Sequence, residues 1–305
     1  MNGDKNSLDI ERLIEKILSD DEFLSYEIIP QKAFSLDSTL EKIKQSELYN
    51  LFDAFICTDS PLARLKHSSI LASIKAQNYL KKPTICTISV RDKNSIAIQG
   101  EILGLNEFDI RIFLALKGDP IRLGDQPQAK GVFESNSYML FDIINALNDG
   151  KDLANLNIKD NGRKIYPFAV VNSFANDMEN IYKRMFRKVQ KGAIALVTQP
   201  IYDINNAKEL LLILERVNKE LGKNAKLILG YHPVSSLKAA EFLYNKLPGC
   251  YIPSKWIDKL RNASDERSLG LELSRNLYKE LRAVYPKIHF MCANSIKMAE
   301  SIILE

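Results

Sequence analysis

The sequence has no long apolar run; no segment approaches the roughly 20 consecutive apolar residues that a membrane helix needs. Its opening, MNGDKNSLDIERLIEKILSDD, lacks the apolar core of a secretory signal. We therefore expect a cytoplasmic chain with no membrane partner. Cysteine is sparse: Cys57, Cys86, Cys250 and Cys292 form no CxxC pair and read as reduced thiols. Histidine is scarcer, with His67, His232 and His289 the only three. No HExxH or Cys/His cluster is present, so no metal is expected. The Gly-rich nucleotide signatures GxGxxG and GxxxxGK(S/T) are missing, and so is the GxSxG of many hydrolases. A dominant charge sign is missing as well: 42 Lys and Arg face 38 Asp and Glu, a net +4. No run of about five or six basic residues occurs, which argues against a nucleic-acid partner and leaves room for a local anion site.

What is present is 305 residues, 46% hydrophobic and 26% charged, enough for two small domains or one large barrel. Short β-branched and apolar runs read as strands buried on both faces: 24–29, 54–58, 84–90, 110–116, 165–171, 194–198, 227–230 and 288–292. Between them lie stretches of helical period, among them 38–48, 62–79, 137–147, 177–190, 207–221, 236–246 and 269–284. Asp203 before Ile204 and Gly222 after Leu221 are a helix start and stop. Eight strands alternating with helices predict an α/β fold, a single (β/α)8 TIM barrel over 21–305. Residues 1–20 predict an amphipathic N-terminal helical extension, with Leu8, Ile10, Leu13, Ile14, Ile17 and Leu18 on its apolar side. An open doubly wound sheet is the alternative, but its usual Gly-rich first turn is replaced here by IIPQKA.

Barrel chemistry sits at strand C-termini. Glu27 lies inside YEII, where burial would raise its pKa and suit it to donate a proton; pairing with a barrel cation is the competing reading. LALKGD places Lys117, Gly118 and Asp119 at the end of the fourth strand, although Asp before Pro120 also suits a plain turn. Gln199 in ALVTQP offers an amide donor and acceptor, with Pro200 expected to break the strand. Arg184, Arg187 and Lys188 form a basic group on one helix, where a solvated face is the ordinary explanation. The long connection GDPIRLGDQPQAKGVFE is a candidate functional loop, and 150–162 a solvated turn.

In order, YEIIP, TISVRDKN, LALKGDP, GDQP with VFESNS, AVVNSFAND, FRKVQKGAIALVTQPIYD, LGYHPVSS, IPSKWIDKL and IHFMCANS resemble the methylenetetrahydrofolate reductase family over about 24–303. The resemblance implies FAD at the barrel top, NADH or NADPH as co-substrate, and ping-pong hydride delivery to methylenetetrahydrofolate. Glu27 would be the acid that opens the folate's five-membered ring, and Asp119 would stabilise the resulting cation. Gln199 would bind the pterin and Leu237 would pack on the substrates. Thr58, Thr87, Lys117, Gly118, Asp119, Asn172, Arg184, Arg187 and Lys188 would hold the flavin, the last two near its phosphates. The family's tendency implies a homo-oligomer. The sequence departs from the pattern at Thr87, where the family has His, at VVNSFAND, at Leu237, where an aromatic is usual, and at Ser295, where it has Arg. A flavin-free or divergent reductase and a non-catalytic folate-binding partner of a methyltransferase are the alternative readings.

Overall fold

The computed structural model describes residues 9–246 and 249–304. Eight parallel strands close into a barrel in chain order: β1 (Phe23–Ile28), β2 (Ala54–Cys57), β3 (Thr84–Ser89), β4 (Ile112–Leu116), β5 (Tyr166–Val171), β6 (Ala195–Pro200), β7 (Lys226–Tyr231) and β8 (Lys287–Phe290). Closure is made by β8 against β1, with Phe23 opposite Lys287 and Tyr26 opposite Phe290. Side chains alternate across each strand. Phe23, Ile56, Ile85, Leu114, Phe168, Val197 and Ile228 fill the lumen, while Tyr26, Phe55, Phe113, Leu196 and Phe290 pack outward under the helices. Burial on both faces is why the strands read as continuous apolar runs.

Around the barrel run α2 (Asp37–Lys44), α3 (Ser69–Leu80), α4 (Ser95–Glu107), α5 (Tyr138–Asn148), α6 (Met178–Gln190), α7 (Ile204–Leu221), α8 (Leu237–Lys246), α9 (Ser254–Arg261), α10 (Glu266–Val284) and α11 (Ile296–Ile303), after an N-terminal α1 (Ile10–Leu18). The start and stop of α7 are those expected: the Asp203 carboxylate accepts the Asn205 N–H, and Gly222 adopts φ +61°. The helix expected from Leu62 begins instead at Ser69, capped by Ser68. The stretch before it cannot be helical, because Leu62 and Ala63 have left-handed φ of 56° and 53°. Pro200 does not break β6 but is its last residue. A register shift between Val197 and Pro200 accommodates the missing N–H, and Pro200 still lies opposite Gly230. No helix among the described residues is long and apolar enough to cross a membrane.

Leu8 lies outside the described residues, but from Ile10 onward α1 has its expected apolar face: Ile10, Leu13, Ile14 and Ile17 close the lumen at the strand N-termini. Nine residues are too few for a helix to persist alone, so packing must hold it. Burial of four such side chains contributes roughly 6–12 kcal/mol before entropy is charged. Arg111 adds polar anchoring; it is 4% exposed and meets both Glu11 oxygens, at 2.5 and 2.9 Å, and Asp109 at 2.7 Å. Lys287, fully buried, donates to the carbonyls of Lys16 and Asp21 at the other end of the helix. Arg111→Met should therefore lower stability in urea by about 2–4 kcal/mol and speed proteolysis within α1. An unchanged melt would show that the apolar face alone holds the helix.

Candidate active site

The C-terminal ends of the strands supply a polar ring above the apolar lumen. Glu27 shares its face of β1 with Phe23 and with Ser25, whose hydroxyl lies 3.0 Å from His289 Nδ1. Its carboxyl has no hydrogen-bond partner or cation among the described residues, and burial alone pushes its pKa up to about 7. The expected pairing with a barrel Lys or Arg is absent there. His289 beneath it is pushed down to about 3 by burial and stays neutral.

The shift at Glu27 has a sign in stability. Below its ordinary value of 4.5, folded and unfolded chains both hold the proton. As pH rises from about 4.5 to 7 the unfolded chain releases it first, so folding loses at most about 3 kcal/mol. Glu27→Gln should then melt like the parent near pH 4.5 and be more stable than the parent above about pH 8. Urea melts at the two pH values check this, and equal stability at the higher pH would mean that the carboxyl is hydrated.

On the neighbouring strands the hydroxyls of Thr58, Thr87 and Ser89 are buried with no hydrogen-bond partner. Alternation from Ile56 and Ile85 puts all three on the lumen face. An unsatisfied buried hydroxyl costs about 1–3 kcal/mol, so three close together are candidates to bind ordered water or a polar ligand. Ser89 extends the expected Thr87 position by one alternation, a signal the TISVRDKN segment already carried.

After β4 the chain makes a close approach. Gly118 has φ +86°, and a Cβ there would stand 2.7 Å from Arg91 Cβ. Asp119 accepts the Leu62 N–H through Oδ2 at 2.6 Å, and Arg91 Nη1 donates to the Ser60 carbonyl at 3.1 Å. These bonds hold a segment in which Ser60, Leu62 and Ala63 all have positive φ. The long β4–α5 loop supplies a further brace, since a Cβ on Gly124 would lie 2.1 Å from the Ala63 carbonyl oxygen. The strain beside Asp119 is thus maintained by named contacts.

Across the mouth, Gln199 lies part-buried in β6, and Asn172, just past β5, presses its amide against Gly249. Residues 249–251 are inserted between the tops of these two strands. Gly249 O accepts the Ser173 N–H at 2.9 Å, Ser173 Oγ donates to Pro200 O at 2.7 Å, and Tyr251 bridges to Ile201. Phe174 and Tyr251 stack at 4.7 Å between ring centres. Sequence reasoning gave no sign of this insertion, because its partners are some 75 residues apart.

The basic group divides. Arg184 and Arg187 are exposed on α6, and Lys117 is exposed after β4. Lys188 turns inward and donates to Val170 O, and burial, with Arg184 nearby, lowers its pKa to about 8. Adjacent residues on a helix point about 100° apart, so Arg187 and Lys188 face different surroundings. Leu237 opens α8 and packs part-buried against the main core. Among the described residues no group of three His, Cys, Asp or Glu could hold a metal.

The fold is a (β/α)8 barrel, and its mouth gathers a neutralisable acid, a fixed carboxylate and unpaired hydroxyls at the strand C-termini. The chain belongs to the methylenetetrahydrofolate reductase family, whose model matches residues 10–305. It is 27% identical over 204 residues to methylenetetrahydrofolate reductase 1 of Schizosaccharomyces pombe, covering 65% of this chain and 31% of that protein. The chain thus spans about a third of that relative's length. Among solved structures it is similar to an uncharacterized protein from Clostridium thermocellum that binds two copies of 5-methyl-5,6,7,8-tetrahydrofolic acid, with TM-score 0.63, 18% identity, and 95% and 96% of the two chains covered. It is also similar to 2,3-dimethylmalate lyase, with TM-score 0.50, 12% identity, and 96% and 84% covered. At these identities the likeness is one of fold.

Proposed function

We propose that the chain reduces methylenetetrahydrofolate to methyltetrahydrofolate in the cytoplasm, using FAD with NADH or NADPH as donor in a ping-pong cycle. The observation that carries this reading is Glu27, an unpaired carboxyl at the lumen's C-terminal end whose pKa is raised to about 7, in a chain of this family. Such a group keeps a proton near neutrality and can deliver it to a folate ring nitrogen, opening the five-membered ring to a cationic iminium. Asp119, fixed through Oδ2 by the Leu62 N–H, would offset that positive charge. Gln199 would hold the pterin edge through its amide, and Leu237 would contribute apolar surface beside it.

The residues present fit a flavin: the orphaned hydroxyls of Thr58, Thr87 and Ser89 want polar partners, and Gly118, whose φ of +86° suits glycine, packs against Arg91 and Ser89 and so turns the chain beside them. Asn172 and Lys117 would add contacts at the rim, and the exposed Arg184 and Arg187 positive charge for the phosphates, whereas Lys188, expected to share that part, is engaged by Val170 O. When bound, FAD supplies the two-electron transfer between nicotinamide and folate. Purified protein should show flavin absorption bands that bleach anaerobically with NADH. A colourless protein that gains no bands on addition of FAD would overturn the flavin assignment. Light scattering tests the homo-oligomer, and a single-chain mass would remove it.

A further inference from the structure

The β1–β8 ladder ends just where Glu27 needs support. Its last rung is Tyr26 opposite Phe290, after which Ala293 and Asn294 take left-handed φ of 51° and 65° and the chain turns away into α11. The backbone of β8 is therefore no longer available to pair beyond Glu27. On the other side β2 still pairs, with Ile28 opposite Cys57 and the Thr58 N–H on Ile28 O at 3.1 Å.

Asn294 fills the gap with its side chain. Its Oδ1 accepts the Ile29 N–H at 2.9 Å, and its Nδ2 donates to Ile29 O at 2.7 Å. Gln31 Nε2 adds a weaker bond to the same carbonyl at 3.1 Å. A primary amide carries the donor and acceptor of a peptide group, so it can serve as one more rung where the strand itself has left. Asn also tolerates the left-handed conformation that this turn imposes.

We infer that Asn294 is a positioning residue for Glu27, its amide standing in for β8 backbone and fixing the end of β1 that carries the acid. The inference rests on the reading of Glu27 as proton donor. The Glu27 carboxyl has no hydrogen bond of its own among the described residues. Its place over the lumen is therefore set by its backbone and by packing, and the backbone is bracketed by the Tyr26 rung and the Asn294 clasp. Tyr26, Cys292 and His289, on β1 and at the end of β8, stay uncharged near neutrality. Burial raises Tyr26 and pushes Cys292 up to about 12, and His289 is held neutral.

The test compares the parent with Asn294→Gly, which keeps the left-handed backbone and removes the amide. The first readout is the infrared band of the protonated Glu27 carboxyl, assigned by its loss in Glu27→Gln and titrated without flavin or folate. Its midpoint should fall by about one unit as water reaches the loosened strand end. The second is the folate half-reaction, which should slow about 10- to 100-fold while reduction by NADH and the folate KM hold. An unchanged midpoint overturns the inference, and so does an equal loss in both half-reactions. If Asn294→Gly does not fold, Asn294→Ser, which removes the amide clasp without adding a charge, is measured in the same way. A parent without folate turnover would sink the reductase reading, and the infrared titration would still decide the clasp.

Discussion

Glu27→Gln should slow reduction of methylenetetrahydrofolate about 100- to 10,000-fold, the range a positioned general acid contributes, while NADH still reduces the bound flavin at the parent rate. The argument is electrostatic and local. Burial without a cation holds the Glu27 proton to about pH 7. Gln has nearly the same shape and no proton to give. The parent's folate half-reaction should fall as pH rises through about 7, because the acid form is lost, and the variant should lack that limb. Stopped-flow measurement of the two half-reactions separates the effects. Unchanged folate turnover in the variant would remove Glu27 from the chemistry, and equal loss in both half-reactions would make it a residue of flavin binding instead.

Gly230→Ala should cost about 3 kcal/mol or more, beyond the usual range for overpacking, because rigid backbone stands in the way. A Cβ there would lie 2.2 Å from Thr198 O and 3.0 Å from the Gln199 carbonyl carbon. The Gly230 N–H also donates to Thr198 Oγ1 at 2.8 Å, and its carbonyl accepts the Ile201 N–H at 3.0 Å. The crowding follows from the register shift that takes Pro200 to the end of β6. Relief must therefore move β6 away from β7, and Gln199 with it. We expect a lower urea midpoint and, in whatever fraction folds, a raised folate KM. Parent-like stability would mean that the two strands can slide apart at little cost.

Much of this was legible in the chain because barrel strands are buried on both faces. Runs such as AFIC and TICTIS have no other home, and their alternation with helices gives the order of the barrel. Glu27 was legible for the same reason, as a lone carboxylate in an apolar strand. The parts that were not legible depend on φ or on distant partners. The positive φ values at Leu62 and Ala63 turned an apparent helix start into a strained loop beneath Asp119. Arg187 and Lys188 look like one basic site in sequence, yet the helical turn between them sends Lys188 to the Val170 carbonyl. Asn294 lies in the IHFMCANS segment, where nothing in the sequence gives it a role, and its part emerges once the chain has left β8 and its amide faces Ile29.

The most direct test of the reductase reading is one anaerobic turnover: protein loaded with FAD, reduced by one equivalent of NADH, then mixed with methylenetetrahydrofolate. The account predicts return of the oxidised flavin spectrum with formation of one equivalent of methyltetrahydrofolate. Flavin that stays reduced while the folate is recovered unchanged would contradict it.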